Sequence, residues 1–201
     1  MMKIEKIEYR PISVRDALVE MKNLSEVMID LAYSAALFNS RELAEEVIHL
    51  EKRVDTLAYI LNMNAMLAAR DVEDAESLVG VTTVAASANE ISDAAADIAA
   101  IVLREIGVHP LVREAFEKME ERLMRAEVKA ASILAKKRLG ELELAARIGV
   151  DIIAIRRGKR WVINPSGDET IGEGDIVVAR GAPLGSQKLR GLAEGTRKDF
   201  E

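Results

Sequence analysis

The chain has 201 residues, with 28 Lys and Arg against 34 Asp and Glu, and a formal net charge of −6. This acidic balance argues against a nucleic-acid-binding protein, which needs a basic surface. There is no cysteine, which excludes disulfide scaffolds, Cys-ligated metal sites and thiol catalysis. Aromatic residues make up only 3% of the chain, so the core must be built from aliphatic side chains, as in helical bundles.

The charge pattern also bears on location. Charged residues recur through the first ten positions, unlike the apolar stretch of a signal peptide. The longest uncharged segments, 56–69 and 77–89, are shorter than the ~18–20 residues that span a bilayer. We therefore expect a cytoplasmic protein that does not insert into the membrane and meets its inner face only peripherally.

Composition and charge change near residue 126. Residues 1–125 carry 14 basic and 23 acidic side chains, whereas residues 126–201 carry 14 and 11. Ten of the 12 glycines lie from Gly140 onward. We expect a multidomain chain, with an antiparallel helical bundle over residues 13–126 and a small α+β domain over residues 127–195.

Apolar residues recur at spacings of three and four through most of the first part, which predicts long amphipathic helices. Ser13 is expected to cap a first helix over residues 14–39. Ser40 is expected to cap a second helix, which ends at the acidic turn 71–74. Short connections between such helices favour an antiparallel bundle.

A third helix is expected to carry the apolar positions between residues 81 and 102, with Gly107 as its C′ residue. Pro110 is expected to begin a fourth helix. Leu123 and Ala126 then lie on one face of that helix.

The second part contains short apolar runs separated by turn residues. Three strands are predicted, over 150–155, 160–163 and 175–179. Helices are expected over residues 139–147, ended by Gly149, and over 183–192. A domain of about 65 residues has a marginal core, so we expect it to form a homodimer.

Enzymatic constellations are weak in this sequence. His49 and His109 are the only histidines and lack the neighbours of a catalytic triad or a zinc site. The segment from Gly172 to Gly174 lacks a third glycine and precedes a strand, unlike a dinucleotide-binding loop. We expect a protein that is not an enzyme.

Two helices carry oxygen-bearing side chains at helical spacing. Glu51 and Asp55 stand four apart in the second helix, where like charges cost about 0.2–0.5 kcal/mol unless compensated. A second polar stripe in the third helix comprises Asn89, Glu90, Asp93 and Asp97. A divalent cation such as Mg²⁺ or Mn²⁺ suits such ligands. The alternative is a solvated acidic face.

Residues from about 20 to 105 resemble a single PhoU repeat, a three-helix unit with two E-x-x-x-D metal motifs. Glu51-Lys-Arg-Val-Asp55 resembles the first motif. Asn89-Glu-Ile-Ser-Asp93 resembles the second, with Asn where the family has Glu. The resemblance implies a divalent metal held by Glu51, Asp55, Asn89 and Asp93.

Residues from about 127 to 195 resemble the TrkA C-terminal domain, also called RCK_C. The motifs that carry this resemblance lie at residues 132–142, 152–158, 163–165 and 173–181. The family implies a dimeric ligand-sensing module of potassium channels, Trk and Ktr uptake systems and cation/proton antiporters. Some members bind cyclic di-adenosine monophosphate between two such domains.

A basic turn and the motif that follows it are compatible with an anionic ligand. The guanidinium groups of Arg156 and Arg157 suit phosphate oxygens, although strand alternation sends the two side chains to opposite faces. Ile163, Asn164 and Pro165 offer an apolar wall and an amide for a base. These five residues form the predicted ligand site, and a solvated basic edge is the alternative.

Together the two resemblances imply a cytosolic regulatory subunit of a potassium or other monovalent-cation channel or transporter. The expected partners are a second copy of the chain and a membrane-embedded channel or transporter. One alternative is a PhoU-type metal-binding regulator of phosphate transport or signalling. The other is a metal-dependent enzyme that uses the carboxylates of the bundle.

Overall fold

The computed structural model describes residues 12–200, which form a helical part followed by a small antiparallel sheet with its own helices. Three long helices come first: α1 (Val14–Phe38), α2 (Arg41–Ala68) and α3 (Val72–Leu103). The predicted caps are confirmed, because the Ser13 hydroxyl accepts the N–H of Asp16 and the Ser40 hydroxyl accepts that of Leu43. Asp71 begins α3 in the same way.

The three helices bury a continuous aliphatic core between them. The large buried side chains come from α1 and α2, and they include Met21, Met28, Leu31, Leu43, Val47 and Leu61. The third helix contributes mainly small side chains, namely Ala85, Ala88, Ala95 and Ala99. Small residues let α3 approach the other two helices closely, so the helical core forms with few aromatic side chains.

Two predictions about the end of the helical part are wrong. The third helix ends at Leu103 with Arg104 as its C-cap, two residues earlier than a C′ position at Gly107 requires. Pro110 does begin a fourth helix, α4 (Pro110–Glu117), but the segment that follows is a strand, β1 (Arg122–Glu127).

Leu123 and Ala126 therefore lie on opposite faces of a strand rather than on one face of a helix. Leu123 packs against the core of the helical part, whereas Ala126 is buried in the core on the other side of the sheet. A spacing of three fits either a helical face or two faces of a strand, and the six-residue segment is too short to separate the two patterns.

The sheet has the strand order β1-β4-β2-β3, and every neighbouring pair is antiparallel. The remaining strands are β2 (Val150–Arg157), β3 (Arg160–Ile163) and β4 (Ile176–Gly181), as predicted to within two residues. β1 crosses the predicted division between residues 126 and 127 and pairs with β4. The division into domains at 13–126 and 127–195 stays a prediction.

The sheet separates two apolar cores. Ile153 and Val178 join the core of the helical part, with Ile163 packed against it. Ile155 and Val177 face the opposite core, which also holds Leu189 and Leu192 of α7 (Pro183–Glu194). One face of the sheet is therefore covered by the long helices and the other by the short ones.

The predicted helix over residues 139–147 is wrong as a single element. It is divided into α5 (Leu139–Leu142) and α6 (Leu144–Ile148) by Glu143, whose φ is 46°. Leu142 and Leu144 are both buried, and residues two apart on a continuous helix could not both face one core. Gly149 ends α6 in the left-handed conformation, as predicted.

Within residues 12–200, none of the helices has the length and apolar character that crossing a membrane requires.

Candidate functional site

The helical hairpin of α2 and α3 brings three acidic side chains together. Glu51 and Asp55 on α2 and Asp93 on α3 each place one carboxylate oxygen within 4.8 Å of the others. The antiparallel pairing of the two helices explains this convergence, because each helix presents residues four apart along one face. Three of the four predicted metal ligands thus form one cluster, here called the acidic cluster.

Asn89 lies one turn before Asp93 on α3. Its amide Nδ2 donates to Asp93 Oδ2 at 3.5 Å, and its Oδ1 is buried without a hydrogen-bond partner among residues 12–200. The O and N atoms of an amide are assigned from the hydrogen-bond network. Rotating the Asn89 amide by 180° would direct Oδ1, in place of Nδ2, toward the Asp93 carboxylate. Three carboxylates and one amide oxygen fit a hard divalent cation.

The electrostatics of the acidic cluster favour a cation. Burial raises the pKa of Glu51 above its usual value, and the charges of Asp55 and Asp93 raise it further. The pKa of Asp93 is also raised by burial, then by Asp55 and Asp97. A bound cation would act in the opposite direction to these like charges and lower the pKa values of Glu51 and Asp93.

Arg156 lies on the face of β2 that is turned toward the helical part. Its Nη1 forms an ion pair with Glu42 in the first turn of α2, and its guanidinium carbon lies 5.9 Å from the ring centroid of Trp161. The side chain of Arg156 is 18% exposed, whereas that of Glu42 is 59% exposed. This pair ties the sheet to the start of α2.

Arg157 points to the opposite face, as strand alternation predicts. Its guanidinium donates to Asp175 Oδ1 and Oδ2 at 3.0 and 2.7 Å and to the carbonyl of Thr170 at 2.6 Å. A further contact reaches Glu169 at 3.2 Å. The hydrogen bonds to Asp175, a buried carboxylate, raise the pKa of Arg157. Arg157 thus clamps the segment before β4.

The remaining predicted ligand residues follow β3. Ile163 packs against the core of the helical part, and Asn164 has a left-handed backbone with φ of 47°. Asn164 and Pro165 line a pocket of about 980 Å³ between α1 and the α5–α6 segment. Arg156 and Arg157 do not line that pocket, so it does not bring the five predicted residues together.

Sequence reasoning missed a second ion pair between the two parts. Arg180 of β4 donates to Asp30 of α1 at 3.0 Å and contacts Glu121 at 3.2 Å. Burial raises the pKa of Asp30 although Arg180 acts in the opposite direction. No local pattern predicts this contact, because Asp30 and Arg180 belong to elements far apart in the chain.

His109 is the N-cap residue of α4. Its Nδ1 accepts the N–H of Leu111 and caps the start of α4.

Comparisons with known families divide the chain in two. Residues 18–102 match the family model of the PhoU domain, and residues 123–193 match that of the TrkA-C domain. Both predicted resemblances are thereby confirmed, together with the fold class of a helical bundle followed by a small α+β unit.

One curated relative is the Ktr system potassium uptake protein C of Bacillus subtilis, strain 168. It is 38% identical over 56 residues, which cover 28% of this chain and 25% of that protein. The chain thus matches only about a quarter of the relative's length.

Two solved structures show weaker likeness. One is the RCK C domain of the potassium transport protein KtrA in complex with cyclic diadenosine monophosphate, with 23% identity and a TM-score of 0.33, covering 45% of this chain and 94% of that one. The other is S. agalactiae BusR with its busA-promotor DNA, with 16% identity, a TM-score of 0.35, and coverages of 70% and 66%. These scores are too low for either alignment to support a statement about function.

Proposed function

We propose that this chain, with its PhoU and TrkA-C domains, is a cytosolic regulatory subunit of a potassium or other monovalent-cation channel or transporter. The observation that carries the proposal is the TrkA-C match over residues 123–193, supported by 38% identity to a potassium uptake protein over 56 residues. The membrane partner, the ion and the location at the inner face of the membrane all belong to the proposal. No catalytic role and no nucleic-acid partner are proposed.

The regulatory signal in this proposal is a small anionic ligand held between the TrkA-C domains of a homodimer. Cyclic di-adenosine monophosphate is the first compound to test, since it has two phosphates and two bases for two symmetric half-sites. In this proposal Arg156 would bind phosphate, and Ile163, Asn164 and Pro165 would contact a base. Arg157 would reach a phosphate only by releasing Asp175 on the other face of β2.

The contacts of Arg156 supply a means of coupling. Its partner Glu42 is exposed and belongs to α2, so a ligand phosphate would compete with Glu42 for the guanidinium. Release of Glu42 would weaken the tie between the sheet and the helical part. A ligand that binds one arrangement better than the other shifts the population between them, with typical coupling of about 1–3 kcal/mol.

The ligand step is tested by calorimetric titration of the purified protein with cyclic di-adenosine monophosphate. We expect one ligand per two chains, and loss of binding in the Arg156→Ala variant. Arg160→Ala, which removes a charge from the neighbouring exposed position on β3, is the matched control and should bind normally.

A variant in which both Arg156 and Arg157 are changed to Ala should also lose binding. It removes the clamp on Asp175 as well, so its melting temperature must be measured alongside. Absence of heat at several temperatures in the wild-type protein would remove this ligand from the proposal.

The transport step is tested in cells. Deleting the gene in its host should change the rate of potassium uptake and leave phosphate uptake unaltered. The reverse pattern would contradict the proposal and favour a regulator of phosphate transport.

A second candidate function is a PhoU-type metal-binding regulator of phosphate transport or signalling. The convergence of Glu51, Asp55 and Asp93 within 4.8 Å supports it. A bound divalent cation would neutralise the acidic cluster and hold α2 against α3. If the protein were a metal-dependent enzyme, Asp55→Asn should abolish its turnover. If it is a regulator, the same substitution should alter only its association with its partner.

A further inference from the structure

A second pocket lies where the helical part meets the sheet. Its volume is about 510 Å³, within the ~300–1,000 Å³ range of small-molecule sites. Residues of α1, α4, the connector after α4, β1, β4 and α7 line it. It is here called the junction pocket. Neither the acidic cluster nor Arg156 contributes to its walls.

One wall of the junction pocket is unusually aromatic for this chain. Three of the seven aromatic residues, counted as one Trp, three Tyr and three Phe, line it: Tyr33, Phe38 and Phe116. The rings of Tyr33 and Phe116 lie 4.8 Å apart between centroids. All three side chains are only half-buried, so aromatic surface remains open to a ligand.

Apolar side chains extend this wall. Leu37 and Leu123 are half-buried beside the aromatic rings, and Met119 is 49% exposed. The flexible side chain of methionine adapts to ligands of different shapes. The wall therefore suits an apolar or flat organic body better than a hydrated ion.

Charged side chains also line the junction pocket. They comprise the arginines Arg122, Arg180 and Arg190 and the carboxylates Asp30 and Glu121. Guanidinium groups at the edge of an apolar pocket suit an anionic group, because they offer paired donors to carboxylate, sulfonate or phosphate oxygens.

Two of these arginines are available to a ligand in different ways. Arg190 on α7 is exposed. Arg180 keeps Asp30 as a partner, while its second partner, Glu121, has a side chain that is 63% exposed. A ligand anion could therefore replace the Glu121 carboxylate at Arg180 while the pair with Asp30 persists.

We propose that the junction pocket binds an amphipathic organic anion. The apolar body would lie against Tyr33 and Phe116, and its single anionic group would contact Arg180 and Arg190. A neutral molecule would gain no charge-assisted contact from Arg180 or Arg190, and a cation would be repelled by the two guanidinium groups. Because the walls come from both parts of the chain, such a ligand would stabilise the docked arrangement of the sheet on the helices.

The experiment uses 1-anilinonaphthalene-8-sulfonate as the probe, since it combines aromatic rings with one sulfonate and fluoresces when shielded from water. Titration of the full chain should give saturable enhancement with one site per chain. Dodecanoate should displace the probe, whereas dodecyltrimethylammonium, with a similar apolar body and the opposite charge, should not.

Two variants locate the site. Arg190→Gln should weaken binding on the order of tenfold, as expected for loss of one charge-assisted contact. Phe116→Ala should weaken it as well. Arg15→Gln is the matched control, because Arg15 is exposed and lies about 27 Å from Tyr33 along α1. Melting temperatures of all variants show whether each remains folded.

The outcomes separate this site from the ligand site proposed above. Weakening in Arg190→Gln but not in Arg15→Gln, without competition by cyclic di-adenosine monophosphate, would support the junction pocket. The proposal is overturned if enhancement does not saturate, if Arg190→Gln binds like the control, or if the cationic amphiphile displaces the probe equally well. Each of these results is independent of whether the dimeric site exists.

Discussion

Arg156 of β2 forms an ion pair with Glu42 in the first turn of α2, so a strand of the sheet is tied to the helical bundle by a half-exposed contact. The two side chains of this pair differ in their exposure to solvent. Arg156 is largely covered by the surrounding structure, whereas Glu42 is free to leave toward solvent. An anion that reaches Arg156 therefore competes with the Glu42 carboxylate, which is exposed and can be displaced into solvent.

The first prediction concerns this competition. Glu42→Gln should increase the affinity for cyclic di-adenosine monophosphate several-fold, because the ligand no longer displaces a carboxylate from Arg156. Stability should change by less than about 1 kcal/mol, as expected for an exposed partner. Calorimetric titration measures the affinity, and urea unfolding measures the stability. Weaker binding in Glu42→Gln would contradict the exchange.

Arg157 leads to a different prediction, because its partner Asp175 is buried. The side chain of Asp175 is 2% exposed and also accepts the N–H of Gly172 at 2.7 Å. Asp175→Asn should lower the free energy of unfolding by about 2–3 kcal/mol, since a buried charged network loses its acceptor. Glu169→Gln, which changes the more exposed partner of Arg157, should cost less than about 1 kcal/mol. Equal losses in the two variants would argue against a clamp centred on Asp175.

The acidic cluster predicts a pH dependence of stability. The pKa values of Glu51 and Asp93 are raised above their usual 4.5 and 3.8, so the folded state holds protons that the unfolded state has released. The contribution of these two groups to the free energy of unfolding is therefore favourable at low pH. It is lost as the pH rises through the raised pKa values. Asp93→Asn should be more stable than the wild-type protein at pH 7, and the difference should shrink toward pH 4. Urea unfolding at several pH values measures this difference, and a constant offset would contradict it.

The same cluster predicts metal binding. Mn²⁺ should bind the wild-type protein and raise its melting temperature, because the cation compensates three converging carboxylates. Asp55→Asn should weaken Mn²⁺ binding at least about tenfold. Asp97→Asn is the control, since Asp97 lies on α3 outside the acidic cluster, and it should weaken binding less than Asp55→Asn does. Calorimetric titration of both variants with Mn²⁺ decides whether the site is specific. Equal losses of Mn²⁺ affinity in the two variants would indicate a diffuse acidic surface.

Two glycines of α7 should tolerate substitution by alanine to different degrees. A Cβ at Gly185 would collide with the backbone carbonyl of Ile148, so Gly185→Ala should destabilise the protein by about 1–3 kcal/mol. A Cβ at Gly191 would lie 3.2 Å from the Cβ of Arg197 and 3.4 Å from the hydroxyl of Thr196, so residues 196 and 197 would have to shift slightly. A gain of up to about 1 kcal/mol in helix propensity offsets part of that cost, so Gly191→Ala should destabilise the protein less than Gly185→Ala. Thermal unfolding of both variants tests the close approach of α7 to the end of α6.

Local signals in the sequence determined most helix and strand boundaries. Ser13, Ser40 and Gly149 act through hydrogen bonds or backbone conformations within a few residues, so their roles follow from their neighbours in the chain. The strands over residues 150–157 and 160–163 follow from their apolar runs and the turn between them. The acidic cluster was accessible from helical spacing together with the PhoU resemblance.

Tertiary structure alone decided the features that depend on distant partners. β1 is a strand because β4 supplies its hydrogen-bond partners, which a short segment with ambiguous spacing cannot reveal. The positions of Asn164 and Pro165 away from Arg156, and the meeting of Arg180 with Asp30, depend on how the sheet packs on α1. That packing is set by apolar burial between the two parts, and the burial of one surface on another is a property of the folded chain rather than of any local pattern.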